Sequence, residues 1–458
     1  MKIIVCGAGR VGSQIAKRLA EEGNQVTVID QNPELVRHVV EALDLNGVVG
    51  YASHPDVQDR AGAGDADMLI AATQMDEVNM VACQVAHSVF SVPRKIARVR
   101  AQNYLEARWA DLFRRDHMPL DVVISPEAEV ARVAISRLAS TSAFDTHTFL
   151  DGRAQLIGLK LEQDCPVLNT PLRQLSELFS TLAAIVVAIR RGDALLAPTP
   201  NDQLYAGDAV YLLAAEQDVQ RAISIFGREG RPARRIVIIG AGNVGLTVAE
   251  LLEADPRGIR ATIIERDRER AEFAADRLSR TVVLNGDALE PEILDEAGIV
   301  DADAVLALTD DDKTNLLACA LSKQAGCGLT IALTNDAVFS NLAGALGVDA
   351  TINPRATTVS SILRHVRRGR IRQVYSIGEG EGEVIEAQVL MTSPIAGKRL
   401  RDAGFPPGAL VGAIMTRDGL KMPEGDLTIT DGDVMVVFAL RDVVKQVEQL
   451  FRVSVDFF

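Results

Sequence analysis

The chain has 458 residues, of which 48% are hydrophobic but only 4% aromatic, and a formal charge of −14. That length predicts roughly three or four domains of ordinary size, and the charge argues against broad nucleic-acid binding and against direct attraction to anionic lipid, both of which need a positive surface. No apolar run approaches the length that spans a bilayer, and a lone Lys2 before a short apolar strand is not a secretory signal, so a cytoplasmic protein is expected, with docking on a basic loop of a membrane protein left open.

The chain opens on an apolar strand over 3–6, then Gly7-Ala8-Gly9-Arg10-Val11-Gly12, then an apolar-periodic helix over 11–20. A second strand over 26–29 ends in Asp30. A helix over 33–43, a strand over 48–50, a short helix over 55–61, a strand over 68–71, a helix over 76–88 and a strand over 96–99 follow. Strands alternating with helices imply a parallel, doubly wound sheet. After Pro126, Val130, Val133, Ala134 and Leu138 recur at helical spacing. This helix leaves the sheet, either as an ordinary core helix or as one that swaps onto a neighbouring subunit. Residues 145–226 are strand-rich, with turn signals at Asp151-Gly152, Arg191-Gly192-Asp193 and Gly207-Asp208 and helix-like segments at 170–178 and 218–226, which read as a small α+β domain. Residues 227–235, with glycine, proline and a charge run, read as a linker too polar for a core.

The same order then returns. A strand beginning at Arg235 leads into Gly240-Ala241-Gly242-Asn243-Val244-Gly245, and a second strand ends in Glu265. Gly50 matches Gly286, Pro55 matches Pro291, Gly62 matches Gly298, Asp67 matches Asp303, Thr73 matches Thr309 and Asn79 matches Asn315. Pro126 matches Pro354, after which Val359, Ile362 and Leu363 form a second apolar stripe. Residues 371–452 repeat the strand-rich pattern, with helix-like segments at 396–403 and 442–451. The repeat is about 230 residues long. The fold class is therefore α/β: two doubly wound, Rossmann-like parallel-sheet domains, each followed by a small α+β domain. The expected boundaries are 1–140, 141–227, a linker over 228–234, 235–370 and 371–458.

Strand, G-x-G-x-x-G, helix and strand-end acid in order, twice, point to two dinucleotide-binding units. Gly7 and Gly240 allow the tight turn. Gly9 and Gly242 remove the Cβ that would block a pyrophosphate. Gly12 and Gly245 let helix and strand pack closely, and the helix amides then face the phosphates. Asp30 and Glu265 stand where a carboxylate accepts ribose hydroxyls and repels a 2′-phosphate, which favours NAD(H); the alternative is an acid that caps the next helix. Arg10 lies in the first glycine loop and Asn243 replaces it in the second, so the two sites should differ in affinity for charged ligands. Thr73-Gln74 and Thr309-Asp310 follow the fourth strand at its carboxyl end, where the crevice of such a sheet opens. Arg98 is placed to reach the ligand or is a surface arginine.

A dehydrogenase also needs an acid–base group facing the nicotinamide. None of the six histidines recurs in the other copy or falls in a catalytic setting, and the five cysteines lack paired metal spacing. The chain is therefore expected not to be an enzyme, with an NAD-dependent oxidoreductase as the alternative.

The Gly7–Gly12 motif, the Asp30 strand, the block from Gly50 to Thr73 and KIARVRAQNY from Lys95 resemble the RCK (KTN) family of potassium-conductance regulators. The tandem arrangement is similar to the peripheral NAD-binding subunits of bacterial Trk potassium uptake systems. The resemblance implies NAD(H) contacts at Gly7, Ala8, Gly9, Arg10, Val11, Asp30, Thr73, Gln74 and Arg98. In the second copy it implies contacts at Gly240, Ala241, Gly242, Asn243, Val244, Glu265, Thr309 and Asp310. It also implies ATP or ADP as further ligands, a homotetramer forming an eight-module ring, and a TrkH-like membrane potassium-translocating subunit as partner. Two departures bear on the sites: Tyr51-Ala52 stand where the second copy has the more usual Asp287, and Leu333 aligns with Arg98.

Overall fold

The computed structural model describes residues 1–138, 143–228, 232–366, 371–378 and 380–452. The expected boundary at 140/141, residue 370 of the boundary at 370/371 and residues 229–231 of the linker fall outside these residues. The chain forms two compact units, one comprising Met1–Val130 with Asn353–Val366, the other Ala131–Ile352 with Arg367–Phe458.

In the first unit the order is β1 (Lys2–Cys6), α1 (Arg10–Glu21), β2 (Gln25–Asp30), α2 (Pro33–Leu43), β3 (Asn46–Val49), α3 (Pro55–Arg60), β4 (Met68–Ala71), α4 (Asp76–Ser88), β5 (Arg94–Arg98) and β6 (Val122–Ile124), then the start of α5 (Pro126–Arg137). The six strands run parallel in the order β3-β2-β1-β4-β5-β6. Ile3, Ile4, Val5 and Cys6 are all buried, as a strand covered on both faces requires. The order reverses between β1 and β4, and the carboxyl ends of those strands open a crevice there.

One face of this sheet holds Ile3, Val5, Ile15, Leu19, Val28 and Ile70, and the cluster is completed by Val359, Ile362 and Val366. Those three residues lie on α13 (Pro354–Val366), the helix that follows the second sheet in sequence. Arg364 of α13 donates to Glu129 at 3.5 Å. The sequence left open a home core or a partner subunit for these helices; for α13 the structure shows an exchange within one chain. From Ala131 onward α5 belongs to the second unit, where Arg137 donates to the Thr351 carbonyl at 2.8 Å.

The second unit contains β7 (Asp145–Phe149), β8 (Ala154–Lys160), α6 (Leu172–Leu178), β9 (Ala184–Arg191), β10 (Ala194–Leu196), β11 (Ala209–Ala215) and α7 (Val219–Ile225). The second Rossmann-like sheet follows: β12 (Arg235–Ile239), α8 (Asn243–Ala254), β13 (Arg260–Glu265), α9 (Arg268–Arg277), β14 (Val282–Asn285), α10 (Pro291–Glu296), β15 (Ala304–Ala307), α11 (Asp312–Gln324), β16 (Leu329–Leu333), α12 (Ala337–Ala343) and β17 (Ala350–Ile352). Its order, β14-β13-β12-β15-β16-β17, repeats the first sheet. Last come β18 (Ile371–Ile377), β19 (Gly382–Gln388), β20 (Ala409–Thr416), β21 (Gly419–Lys421), β22 (Val434–Leu440) and α14 (Val444–Leu450).

The two small domains are five-stranded antiparallel sheets, ordered β10-β9-β11-β8-β7 and β18-β19-β22-β20-β21. They share one core, in which Phe149, Leu156, Val187 and Leu213 meet Ile377, Val384, Val436 and Phe438. Polar groups tie them as well: Tyr375 donates to Asp145 at 2.5 Å, and buried Glu386 accepts the Leu150 amide at 2.7 Å. The helix expected over 396–403 is not formed. Only a 3-10 turn at Leu400–Asp402 is helical, because the amides of Gly397 and Leu400 donate instead to the carbonyls of Ile429 and Leu427. The linker is less polar in place than in sequence: Ala233 is buried and its amide donates to Leu138, while Arg228 pairs with Glu162 at 2.7 Å.

One carboxylate fixes the entry to β14. Glu253, in the last turn of α8, accepts the amides of Ser279, Arg280 and Thr281 and the Thr281 hydroxyl. Burial pushes its carboxyl up, but these four donors outweigh burial and hold it at about 2, below the ordinary 4.5. A depressed native value means the clamp's stabilisation is present above pH 4.5 and is lost as pH falls towards 2. Glu253→Gln should therefore melt below the unmodified chain at pH 7, and the gap should close between pH 4.5 and 2. A gap independent of pH would sink this account.

Candidate nucleotide sites

In the first crevice β1 ends at Cys6 and the chain turns at Gly7, whose φ is +105° and whose amide donates to the Ile29 carbonyl at 2.7 Å. A Cβ on Gly12 would lie 1.8 Å from the Gly7 carbonyl oxygen, so this glycine is what allows α1 to pass beneath the loop. A Cβ on Gly9 would meet nothing within 4 Å. The loop is thus closed from below at Gly12 and open above at Gly9, a cradle whose free side faces the crevice at the amino end of α1.

Asp30 braces the loop. Its carboxylate accepts the Ala8 amide at 2.7 Å and the Asn32 amide at 2.8 Å. Capping of α2 is done by Asn32, which accepts the Glu34 amide, so the capping alternative for Asp30 does not hold. Each carboxylate oxygen retains lone-pair capacity for a ribose hydroxyl.

Across the crevice, Asn79 is fully buried and joins the ends of β4 and β5. Its Oδ1 accepts the Thr73 amide at 2.8 Å and the Thr73 hydroxyl at 2.7 Å, and its Nδ2 donates to the carbonyls of Thr73 at 3.2 Å and Arg98 at 2.9 Å. Asp76 adds a second tie, accepting the amides of Arg100 and Ala101. Arg10 and Gln74 are exposed, and Val11 is half-buried. Arg98 is half-buried with its Nε buried and without a hydrogen-bond partner. Burial and then the neighbouring Arg100 lower its affinity for its proton. Buried guanidinium N–H groups left unpaired are costly, and an anionic ligand would relieve the cost.

The second crevice repeats the first. Gly240 has φ +99° and a Cβ on Gly245 would lie 1.9 Å from the Gly240 carbonyl. Glu265 accepts the amides of Ala241 at 2.7 Å and Asp267 at 2.9 Å, while Asp267 caps α9 through the Arg270 amide. Asn315 binds Thr309 and the Leu333 carbonyl as Asn79 binds Thr73 and Arg98. Asn243 and Asp310 are exposed, and Val244 is half-buried. The bracing asparagines were visible in sequence only as a repeated position without a role.

The relation of Arg98 to Leu333 gives a test. Arg98→Leu removes an unpaired buried donor, so the ligand-free chain should gain about 1 kcal/mol of stability, while nucleotide affinity at the first site falls about tenfold. Melting curves with and without NADH measure both; a ligand-free chain destabilised by the change would refute the strain.

Two domain families match the chain in tandem: the TrkA-N domain over residues 3–126 and 236–354, and the TrkA-C domain over 156–227 and 384–452. The chain is 50% identical to the Trk system potassium uptake protein TrkA of Azorhizobium caulinodans and 37% identical to that of Halomonas elongata, over the full length of both chains in each case. Among solved structures, the GsuK RCK domain aligns with a TM-score of 0.60 at 18% identity, covering 98% of this chain and 94% of that one. The GsuK channel bound to NAD aligns with a TM-score of 0.59 at 18% identity, covering 98% and 78%. These two likenesses concern the fold.

Proposed function

The chain belongs to the TrkA family of Trk system potassium uptake proteins, and from that premise we propose that it is the nucleotide-binding regulatory subunit of such a system. In this reading it docks, as a homotetramer, on the cytoplasmic face of a TrkH-like potassium-translocating subunit and gates it in response to NAD(H), ATP or ADP. It is not an enzyme, and its working division is into sheet domains 1–140 and 235–370 and small domains 141–227 and 371–458.

The observation that carries the proposal is the pair of braced glycine cradles, each with a strand-end acid, in which the space over Gly9 is open and the place of a Cβ on Gly242 is approached only by Nη1 of Arg270, at 4.0 Å. Gly9 or Gly242 and the first amides of α1 or α8 would hold the pyrophosphate. Asp30 or Glu265 accepts the ribose hydroxyls. Thr73, Gln74 and Arg98, or Thr309 and Asp310, line the other half of the crevice. A ligand bound this way touches the ends of β1, β2, β4 and β5 together. It therefore favours the arrangement in which those ends are correctly spaced, and it shifts a gating equilibrium only by its difference in affinity for the two states. The test is potassium flux into vesicles that hold the membrane partner and this chain, with NADH, NAD, ATP and ADP titrated in turn. A nucleotide-dependent change in flux is expected. Flux indifferent to all four overturns gating, and turnover of NADH with a metabolite would favour an oxidoreductase.

A further inference from the structure

The sequence removes a positive charge from the second glycine loop, with Asn243 in the place of Arg10. The structure puts one back from elsewhere. A Cβ on Gly242 would have a single neighbour within 4 Å, Nη1 of Arg270, at 4.0 Å. Arg270 lies in the first turn of α9, on the exposed side. Its backbone amide is held by Asp267 at 2.9 Å, which fixes where its side chain starts. Its guanidinium pairs with no carboxylate among the described residues, although Arg268 and Arg277 on the same helix pair with Glu272 and Glu250. The equivalent residue in the first repeat is Leu35, and the space over Gly9 is open.

We propose that Arg270 is the phosphate-binding residue of the second cradle, gripping the diphosphate of an adenine nucleotide from α9 where the first cradle uses Arg10 from within the loop. The assignment rests on the nucleotide reading of the second cradle. An unpaired guanidinium over an open glycine loop offers a bidentate donor to a phosphate whose other oxygens face the helix amides. Leu333 stands in the place of Arg98, so a cation gripping the ligand there acts on the phosphates next to the loop.

The experiment starts from full-length Gly9→Val, in which remaining binding reports the second cradle, and compares it with Gly9→Val/Arg270→Leu by calorimetry with ADP and with adenosine. Arg270 is exposed and leucine stands at the matching position of the first repeat, so folding should survive, as melting checks. ADP affinity should fall about tenfold or more, adenosine affinity should not change, and adding Asn243→Arg should restore ADP binding by returning the charge to the loop. Equal ADP affinity with and without Arg270 overturns this assignment alone. Absence of any ADP binding to Gly9→Val overturns both the assignment and the nucleotide reading of the second cradle.

Discussion

Gly12→Ala should leave no stably folded first sheet domain. The added methyl group would stand 1.8 Å from the Gly7 carbonyl oxygen, with the Gly7 carbonyl carbon at 2.9 Å. Neither atom belongs to a flexible side chain, so the loop or α1 must move bodily. Gly7 is itself pinned to Ile29 and Ala8 to Asp30, and Ile15, Ala16 and Leu19 of α1 are buried against the sheet. No soft direction remains, and a cost above about 5 kcal/mol is expected, comparable to the stability of a whole domain. Gly9→Val separates fold from function at a distance of three residues. Gly9 is extended, with φ −69° and ψ −174°, and open above, so valine there should cost at most about 1 kcal/mol as a poorer helix cap. It should nevertheless abolish nucleotide binding at the first site by occupying the place of the pyrophosphate. Thermal unfolding and calorimetry on the two variants decide the matter. A Gly12→Ala chain that melts with the unmodified protein, or a Gly9→Val chain that binds NADH at the first site with unchanged affinity, would remove the basis for the cradle.

Those glycines were legible because their roles are local. A turn with φ +105° and a helix passing under a carbonyl both demand glycine, whatever the rest of the chain does. Asp30 and Glu265 were legible for the same reason, as acids at strand ends a fixed distance from the loop, although the amides they accept from Ala8 and Ala241 were not. What failed to show in sequence depended on contacts between distant segments. The stripe on α13 announces a buried face, but periodicity carries no address, and the face it covers belongs to the other repeat. The segment over 396–403 has helical composition, yet the carbonyls of Leu427 and Ile429 take its amides first. Arg270 is one arginine among five within residues 266–280, and only its position over Gly242 sets it apart.

Asn79 shows how a residue with no chemistry of its own can hold a binding site together. Its side chain is fully buried and makes four hydrogen bonds, three to Thr73 and one to the Arg98 carbonyl. It thereby ties together the two strand ends that frame the far half of the crevice. Asn79→Ala leaves the Thr73 amide and two carbonyls without those partners, so a loss of about 3–5 kcal/mol is expected. Asn79→Asp keeps both acceptor bonds but loses both donor bonds and buries a charge, so it should do no better. Because Thr73 and Arg98 are positioned by this side chain, the fraction of Asn79→Ala that folds in the cold should bind NADH weakly at the first site. Binding at the second site, where Asn315 makes the same four bonds, should persist. Asn315→Ala should show the reverse pattern. Urea unfolding gives the stability term and calorimetric stoichiometry gives the site. If Asn79→Ala lowered affinity at both sites equally, the asparagine would be acting through global stability, and the local frame that it is argued to provide would not exist.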